Sequence, residues 1–127
     1  MKTSIQISFP SDAVQAFQTY ARRRQEHFVV LTLNGAHFTI RRHVVTVGIA
    51  NRTIVHPREV FWPAIKDNAV AIIVAHNHPS GQVEPSEEDR QVTVRLKEAG
   101  KVMGIPVLDH LIIGRDRYYS FLENGAL

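Results

Sequence analysis

Cysteine is absent from the 127 residues of the sequence. This absence excludes disulfide bonds, thiolate metal ligands, iron–sulfur clusters and cysteine nucleophiles. No apolar run approaches the roughly 20 residues that a membrane helix needs. The opening residues, MKTSIQISFPSD, alternate polar and apolar side chains and do not form the apolar core of a signal peptide. We therefore expect a cytoplasmic location and no contact with a membrane.

Charge of one sign is also scarce. The formal net charge is +3, and the basic residues are scattered along the chain. One local cluster, Arg22 to Arg24, is near Arg41 and Arg42 in sequence and could contact nucleic acid. A solvated helix end and a loop are the preferred explanation of the same arginines. Nucleic-acid binding is therefore a secondary hypothesis.

The composition is that of one globular domain. Hydrophobic residues make up 44% of the chain and charged residues 21%, and no repeat, linker or low-complexity segment is visible. A chain of this length can bury a core without cross-links. We predict a single domain over residues 1–127.

Helical and strand patterns alternate along the chain. The first helix begins at Pro10, places Val14, Phe17 and Ala21 on one face, and carries the three arginines in its last turn. The later elements follow from periodicity and turn residues: a hairpin in HFVVLTLNGAHFTI around Asn34-Gly35, a strand HVVTVGI, a helix PREVFWPAIKDN, a buried strand AVAIIVAH, a helix SEEDRQVTVRLKEAGKVMG, and strands VLDHLIIG and RYYSFL around a turn at 114–117. This order predicts an α/β (α+β) fold in which a mixed sheet is flanked by helices.

Two histidines follow the buried strand with a single residue between them. His76 and His78 would project to the same side of the strand end, because strand side chains alternate. Pro79 ends the strand, so the pair lies at the mouth of a loop. Histidine nitrogens bind zinc, and a catalytic zinc usually has three protein ligands and a water. The sequence therefore indicates two ligands of a metal site, although two surface histidines would give the same letters.

A third ligand could come from the next helix. Ser86 is the expected N-cap, and Asp89 lies one turn into the helix, where its carboxylate could return to the histidines. Ser-x-x-acid is also the capping-box pattern, and an acidic first turn suits the helix dipole. Both roles of Asp89 remain open from the residues alone. A water on a His/His/Asp zinc would become a nucleophile, and its proton would need a carboxylate base that does not bind the metal.

Three other readings of these letters fail. The adjacent letters HNH lack the wide spacing of the nuclease signature of that name. The zinc deaminases have a layered architecture, but their cysteine ligands and His-x-Glu are absent. No glycine-rich loop has the spacing of a phosphate-binding loop.

The assembled residues resemble the JAMM/MPN metalloprotease motif, in which a distant glutamate precedes His-x-His-Pro, six residues and Ser-x-x-Asp. His76, His78, Pro79, Ser86 and Asp89 match its second part without a gap. The segments AIIVAHNHPSG, PREV and VLDHLIIG are similar to the bacterial RadC-type branch, which also has asparagine between the histidines. The resemblance implies a curved sheet flanked by helices with cytidine-deaminase-like layering. It also implies one zinc ion and hydrolysis of an amide or isopeptide bond.

The resemblance also implies roles for individual residues. His76, His78 and Asp89 would bind zinc, and the Ser86 hydroxyl would stabilise the developing oxyanion. The family's general base lies at the start of the first strand after the first helix, where this sequence has Glu26. Glu59, within the second helix, and Glu84, in the loop, are the alternatives.

The sequence thus predicts a zinc-dependent hydrolase that acts on a peptide or an isopeptide-linked protein. The alternative is a non-catalytic JAMM-like interaction module, associated with DNA through its arginines. Asp109-His110, on a late strand, is expected to support the site or the fold rather than to bind metal directly. Ligand type favours zinc, although manganese or iron would accept the same set.

Overall fold

A five-stranded sheet forms the centre of the described part of the chain, which the computed structural model gives as residues 3–48 and 55–127. The elements in chain order are α1 (Pro10–Phe17), a short 3-10 helix (Gln18–Tyr20), β1 (Glu26–Leu33), β2 (Thr39–Gly48), α2 (Pro57–Lys66), β3 (Ala71–Asn77), α3 (Glu87–Met103), β4 (Val107–Ile113) and β5 (Tyr118–Ser120).

The sheet is mixed, as the order of elements predicts. Its strand order is β2-β1-β3-β4-β5. The neighbours are antiparallel except for β3 and β4, which are parallel and are connected through α3. Parallel neighbours need such a crossover because the chain must return to the end of the sheet at which the first strand begins. The prediction of a mixed sheet flanked by helices is confirmed.

Helices cover both faces of the sheet. Along β1, Val29 and Leu31 face α1, whereas Phe28 and Val30 face α2 and α3. The central strand β3 is buried along its whole length. Buried strands of this kind are continuous apolar runs rather than alternating ones, because both of their faces pack against other layers. The run AIIVA is therefore explained by its central position.

The second and third predicted strands are one strand. β2 continues from Thr39 to Gly48 through the arginine pair, which the sequence analysis assigned to a loop. Arg41 and Arg42 pair with Thr32 and Leu31 of β1 and have exposed side chains. Solvent-facing charges are typical of an edge strand, so they interrupt the apolar pattern without ending the strand. Ile49, the last residue of the predicted third strand, lies outside the described residues.

The first helix is shorter than predicted. α1 ends at Phe17 and passes into the 3-10 turn, so the prediction that Arg22 to Arg24 form its last turn is wrong. Phe17 and Ala21 are buried, whereas Val14 is only partly buried. The chain changes direction here to enter β1 at Glu26.

The other two helices lie where the sequence predicts them. α2 begins at Pro57 and continues past Pro63, with Val60, Phe61 and Ala64 buried. Ile65, expected on the same face, is 45% exposed. α3 begins after Ser86 and ends at Gly104, whose φ of 71° is the left-handed conformation that suits glycine at a helix end. Within the described ranges, no helix combines the length and the apolar character needed to cross a membrane.

Candidate metal centre

The two histidines lie at the carboxyl end of the central strand. His76 pairs with Phe28 of β1, and their rings stack with centroids 5.8 Å apart. His78 follows the last residue of β3, and its backbone N–H donates to the carbonyl of Ile113 at the end of β4. His76 is buried and His78 is partly exposed. The strand end therefore presents one ring from within the protein and one ring at its surface.

Asp89 reaches the same point from the start of α3. The Ser86 hydroxyl accepts a hydrogen bond from the Asp89 backbone N–H at 3.1 Å. In return, the Asp89 carboxylate accepts one from the Ser86 backbone N–H at 2.9 Å. This is a capping box, and it fixes the direction of the buried carboxylate. The cap and the candidate ligand are thus the same side chain, and the two readings of Asp89 are compatible.

Three potential ligand atoms converge between these elements. Nε2 of His76 lies 3.1 Å from Nε2 of His78 and 3.1 Å from one carboxylate oxygen of Asp89, and the second oxygen lies 3.1 Å from Nε2 of His78. Tetrahedral ligands at zinc distances of about 2.0–2.1 Å lie about 3.3–3.4 Å from one another. Within residues 3–48 and 55–127, no other group of three histidine or acidic side chains gathers in this way. The donor set and its spacing fit a zinc ion.

The orientation of the His78 ring is fixed by a hydrogen bond at Nδ1, the ring nitrogen that faces away from Asp89. Its Nδ1 lies 2.8 Å from the carbonyl oxygen of Gln82. A carbonyl only accepts, so the neutral ring carries its proton on Nδ1. The lone pair of Nε2 then points at the Asp89 carboxylate, which is also an acceptor. Two acceptors 3.1 Å apart need a cation or a proton between them.

The Asp89 carboxyl is held in its ionised form. Burial has the largest effect and would raise its pKa. The nearby His76 and His78 rings and the hydrogen bond from the Ser86 amide outweigh burial and keep the pKa of Asp89 well below its usual range. The residue therefore offers a negative charge to a cation at all ordinary pH values.

Glu26 is the first residue of β1 and is buried at 6% exposure. It precedes Phe28 by two residues and so shares the sheet face on which Phe28 contacts His76. Glu59 and Glu84, the alternative bases, are both exposed, Glu59 on α2 and Glu84 in the loop before α3. Of the three glutamates, only Glu26 is buried at the end of the sheet that carries the histidines.

Ser86 retains a hydroxyl proton for another partner. Its oxygen accepts the Asp89 amide hydrogen, so its own proton is still available to donate. The side chain is exposed beside the converging atoms. Capping and donation to a substrate oxygen are therefore compatible at this position.

Asn77, between the two histidines, has a role that sequence reasoning missed. Its side chain is fully buried and points to the opposite face from the rings. The side-chain oxygen accepts the His27 backbone N–H at 2.7 Å, and the side-chain nitrogen donates to the carbonyl of Gln25 at 3.1 Å. Glu26 is the residue between these two anchored peptide groups. Asn77 therefore fixes the backbone of Glu26 relative to the histidines.

The pair Asp109-His110 has divided roles. His110 is buried and its Nε2 lies 2.9 Å from Nδ1 of His76. The Asp109 carboxylate instead accepts hydrogen bonds from the Ser120 hydroxyl and the Leu122 amide. Burial raises the pKa of Asp109. His110 thus supports the candidate metal centre, whereas Asp109 fixes the end of the chain.

Two of the arginines considered for nucleic acid have partners within the protein. Arg42 donates to the carbonyl of Ala16 at 2.8 Å and lies over the ring of Tyr20. Arg41 lies 3.9 Å from the carboxylate of Asp67. Nucleic-acid binding stays a prediction that this geometry does not strengthen.

The sequence is similar to known proteins over nearly its whole length. The family model described as RadC-like JAB domain matches residues 7–126. A UPF0758 protein of Pelobacter propionicus is 56% identical over 104 residues, which are 82% of this chain and 45% of that protein. Those of Staphylococcus haemolyticus (48% identical, 95% of this chain, 54% of that protein) and Trichlorobacter lovleyi (45%, 100% and 56%) are also similar. The chain spans about half the length of these curated relatives.

Proposed function

The chain belongs to the RadC-like JAB domain family, and we propose on that premise that it is a zinc-dependent hydrolase that cleaves an amide or isopeptide bond. The observation that carries this proposal is the convergence of two imidazole nitrogens and a carboxylate at spacings of 3.1 Å. Imidazole and carboxylate together are typical ligands of a catalytic zinc, which keeps one position for water or substrate.

His76, His78 and Asp89 would hold the ion. When bound, zinc would lower the pKa of a coordinated water and polarise the substrate carbonyl. Glu26, buried on the same sheet face, would accept a proton from the attacking water and return it to the leaving amine. The Ser86 hydroxyl would donate to the developing oxyanion.

The substrate class follows from this chemistry. Water attacks an electrophilic carbonyl carbon, and the amide bond of a peptide or of an isopeptide-linked protein supplies one. His78 is partly exposed and Ser86 is exposed, so the proposed reacting groups would lie at the protein surface, within reach of a chain segment of another protein.

Metal content tests the first half of the proposal. Protein purified without an affinity tag should contain about one zinc per chain by elemental analysis. Asp89→Ala should lose the metal, and so should Asp89→Asn, which preserves the cap while removing the charge. Ser86→Ala is the matched control, because it removes the capping hydroxyl but no ligand and should retain zinc. Retention of a full equivalent of zinc by both Asp89 variants would overturn the ligand assignment.

Turnover tests the second half. Glu26→Gln should retain zinc but lose hydrolysis of isopeptide-linked model substrates, whereas Glu59→Gln, on the exposed face of α2, should retain both. Unchanged turnover in Glu26→Gln would show that another group is the base. A metal-free protein with salt-sensitive DNA binding would instead support the alternative of a non-catalytic module.

A further inference from the structure

A chain of buried polar groups leads away from the candidate metal centre on the side opposite the converging atoms. Nδ1 of His76 lies 2.9 Å from Nε2 of His110. Nδ1 of His110 lies 2.5 Å from the Thr93 hydroxyl, and that hydroxyl donates to the backbone carbonyl of Asp89 at 2.9 Å. His76, His110 and Thr93 are all buried, at 3% exposure or less. The chain therefore begins at one candidate ligand and ends at the backbone of another.

The carbonyl at its end determines where every proton in the chain lies. A carbonyl oxygen only accepts, so the Thr93 hydroxyl must give it its single proton. The Thr93 oxygen can then only accept, which requires a proton on Nδ1 of His110. A neutral His110 that is protonated on Nδ1 has a lone pair on Nε2. Nδ1 of His76 must therefore carry the proton of the contact between the two rings.

We propose that Thr93 and His110 act as positioning residues that fix the tautomer of His76 and so keep its Nε2 available for a metal ion. This inference rests on the proposed function, because it concerns the ion that His76, His78 and Asp89 would hold. The opposite tautomer of His110 would donate to His76 and leave a proton on His76 Nε2, where the metal has to bind. Because Thr93 excludes that arrangement, His76 is held in the tautomer that can bind a metal ion even in the metal-free protein.

The geometry explains why the residue that fixes the His110 tautomer lies on α3. Thr93 is four residues after Asp89, on the same side of the helix, and so its hydroxyl reaches the Asp89 carbonyl. Asp89 thus contributes its carboxylate to the front of the site and its carbonyl to the back. His78 needs no such chain because the Gln82 carbonyl fixes its tautomer directly. The two rings reach the same protonation pattern by different routes.

Two substitutions at Thr93 separate the hydroxyl from the packing. Thr93→Val has nearly the same shape but cannot accept from His110, whereas Thr93→Ser keeps the hydroxyl. In competition with a chromophoric chelator, Thr93→Val should bind Zn²⁺ about 10-fold to 100-fold more weakly than the unaltered protein, the range found when partners of metal ligands are removed. Thr93→Ser should stay within about twofold of it. Equal zinc affinity of Thr93→Val and the unaltered protein would overturn the proposal.

A direct reading of the tautomer needs no metal. Nitrogen-15 NMR of the imidazole rings, recorded on metal-free protein at mildly alkaline pH, should show His110 with its proton on Nδ1 and none on Nε2. Thr93→Ser should give the same spectrum, and Thr93→Val should populate the other tautomer. His110→Gln should keep the His76 proton on Nδ1 in part, because the glutamine amide can accept from His76 and donate to Thr93.

The NMR spectrum and the zinc titration test different parts of the proposal, so a negative result in one can be distinguished from a negative result in the other. A His110 proton on Nε2 in the unaltered protein would overturn the proposed chain, whatever the metal affinity. Failure of every variant, and of the unaltered protein, to bind zinc would overturn the proposed function, while the His110 spectrum would still decide the tautomer assignment. A loss of folding in Thr93→Val would appear in its circular dichroism, and His110→Gln against His110→Leu would then provide the comparison.

Discussion

Replacement of Asn77 by alanine should weaken the fold at the start of β1. The Asn77 side chain is fully buried and bridges β3 to the segment that leads into β1. The substitution removes both the acceptor of the His27 amide and the donor to the Gln25 carbonyl. Alanine replaces neither, and it leaves a small gap that the surrounding strands cannot fill with a polar group.

The loss of stability can be worked out from the two hydrogen bonds at 2.7 Å and 3.1 Å. The His27 amide, 2.7 Å from the Asn77 oxygen, is partly buried and would lose its partner, which costs about 1–3 kcal/mol. The Gln25 carbonyl lies in an exposed residue and can turn to water, so its loss costs about 0.5–1.5 kcal/mol. Together, the free energy of unfolding should fall by about 1.5–4.5 kcal/mol.

Urea denaturation of the metal-free protein measures this change without any contribution from metal binding. Asn124→Ala is the matched control, because Asn124 is exposed and donates a single hydrogen bond to the Ser120 carbonyl. It should change the free energy of unfolding by about 0.5 kcal/mol or less. Amide hydrogen exchange at His27 should accelerate in Asn77→Ala alone. A loss below about 1 kcal/mol with unchanged exchange at His27 would refute the bridging role.

Two further substitutions test other parts of the fold. In Gly114→Ala, the new methyl group would lie 2.9 Å from the Gly81 carbonyl oxygen and 2.9 Å from a methyl group of Val83, so the loop after the histidines must shift. We expect urea denaturation to show a loss of about 1–3 kcal/mol, and stability equal to the unaltered protein would contradict the close approach. For Asp67, burial raises the pKa, but the hydrogen bond with His43 and further contacts lower it below its ordinary value of 3.8. A lowered pKa stabilises the fold above about pH 3.8, and this stabilisation disappears as the pH falls through the folded-state pKa. Asp67→Asn should therefore lower the free energy of unfolding near neutral pH and lower it progressively less in acid. A difference in stability that does not depend on pH would contradict this.

The arrangement around His76, His78 and Asp89 could be anticipated because it is local. A buried strand places alternate side chains on one side, proline ends the strand, and a serine cap fixes the first turn of the next helix. Each of these rules concerns neighbouring residues only. Together they were sufficient to bring the three side chains to one place.

A supporting role for Asp109-His110 is predicted from the sequence, but the partners of the supporting groups depend on sheet register and are not. Asn77 meets Gln25 and His27 only because β1 and β3 are neighbours in a particular alignment, and His110 meets His76 only through the parallel pairing of β3 with β4. Helical spacing alone does place Thr93 on the same side of α3 as Asp89. That spacing and the polar pair Asp109-His110 are the sequence signals for the buried chain of polar groups.

The error in strand number has a similar origin. Arg41 and Arg42 interrupt the apolar pattern of β2, and local reasoning took the interruption for a loop. At the edge of a sheet, solvated side chains are compatible with a continuous strand, and the edge position is known only once the whole sheet is assembled.

The candidate ligand side chains all come from positions 76–89, one uninterrupted segment of strand, loop and helix start. The entropy of closing a loop rises only slowly with its length, and this loop is short. Bringing His76, His78 and Asp89 together therefore needs the closure of one short loop, whereas the contacts of Asn77 with β1 and of His76 with His110 need strands that are distant in the sequence.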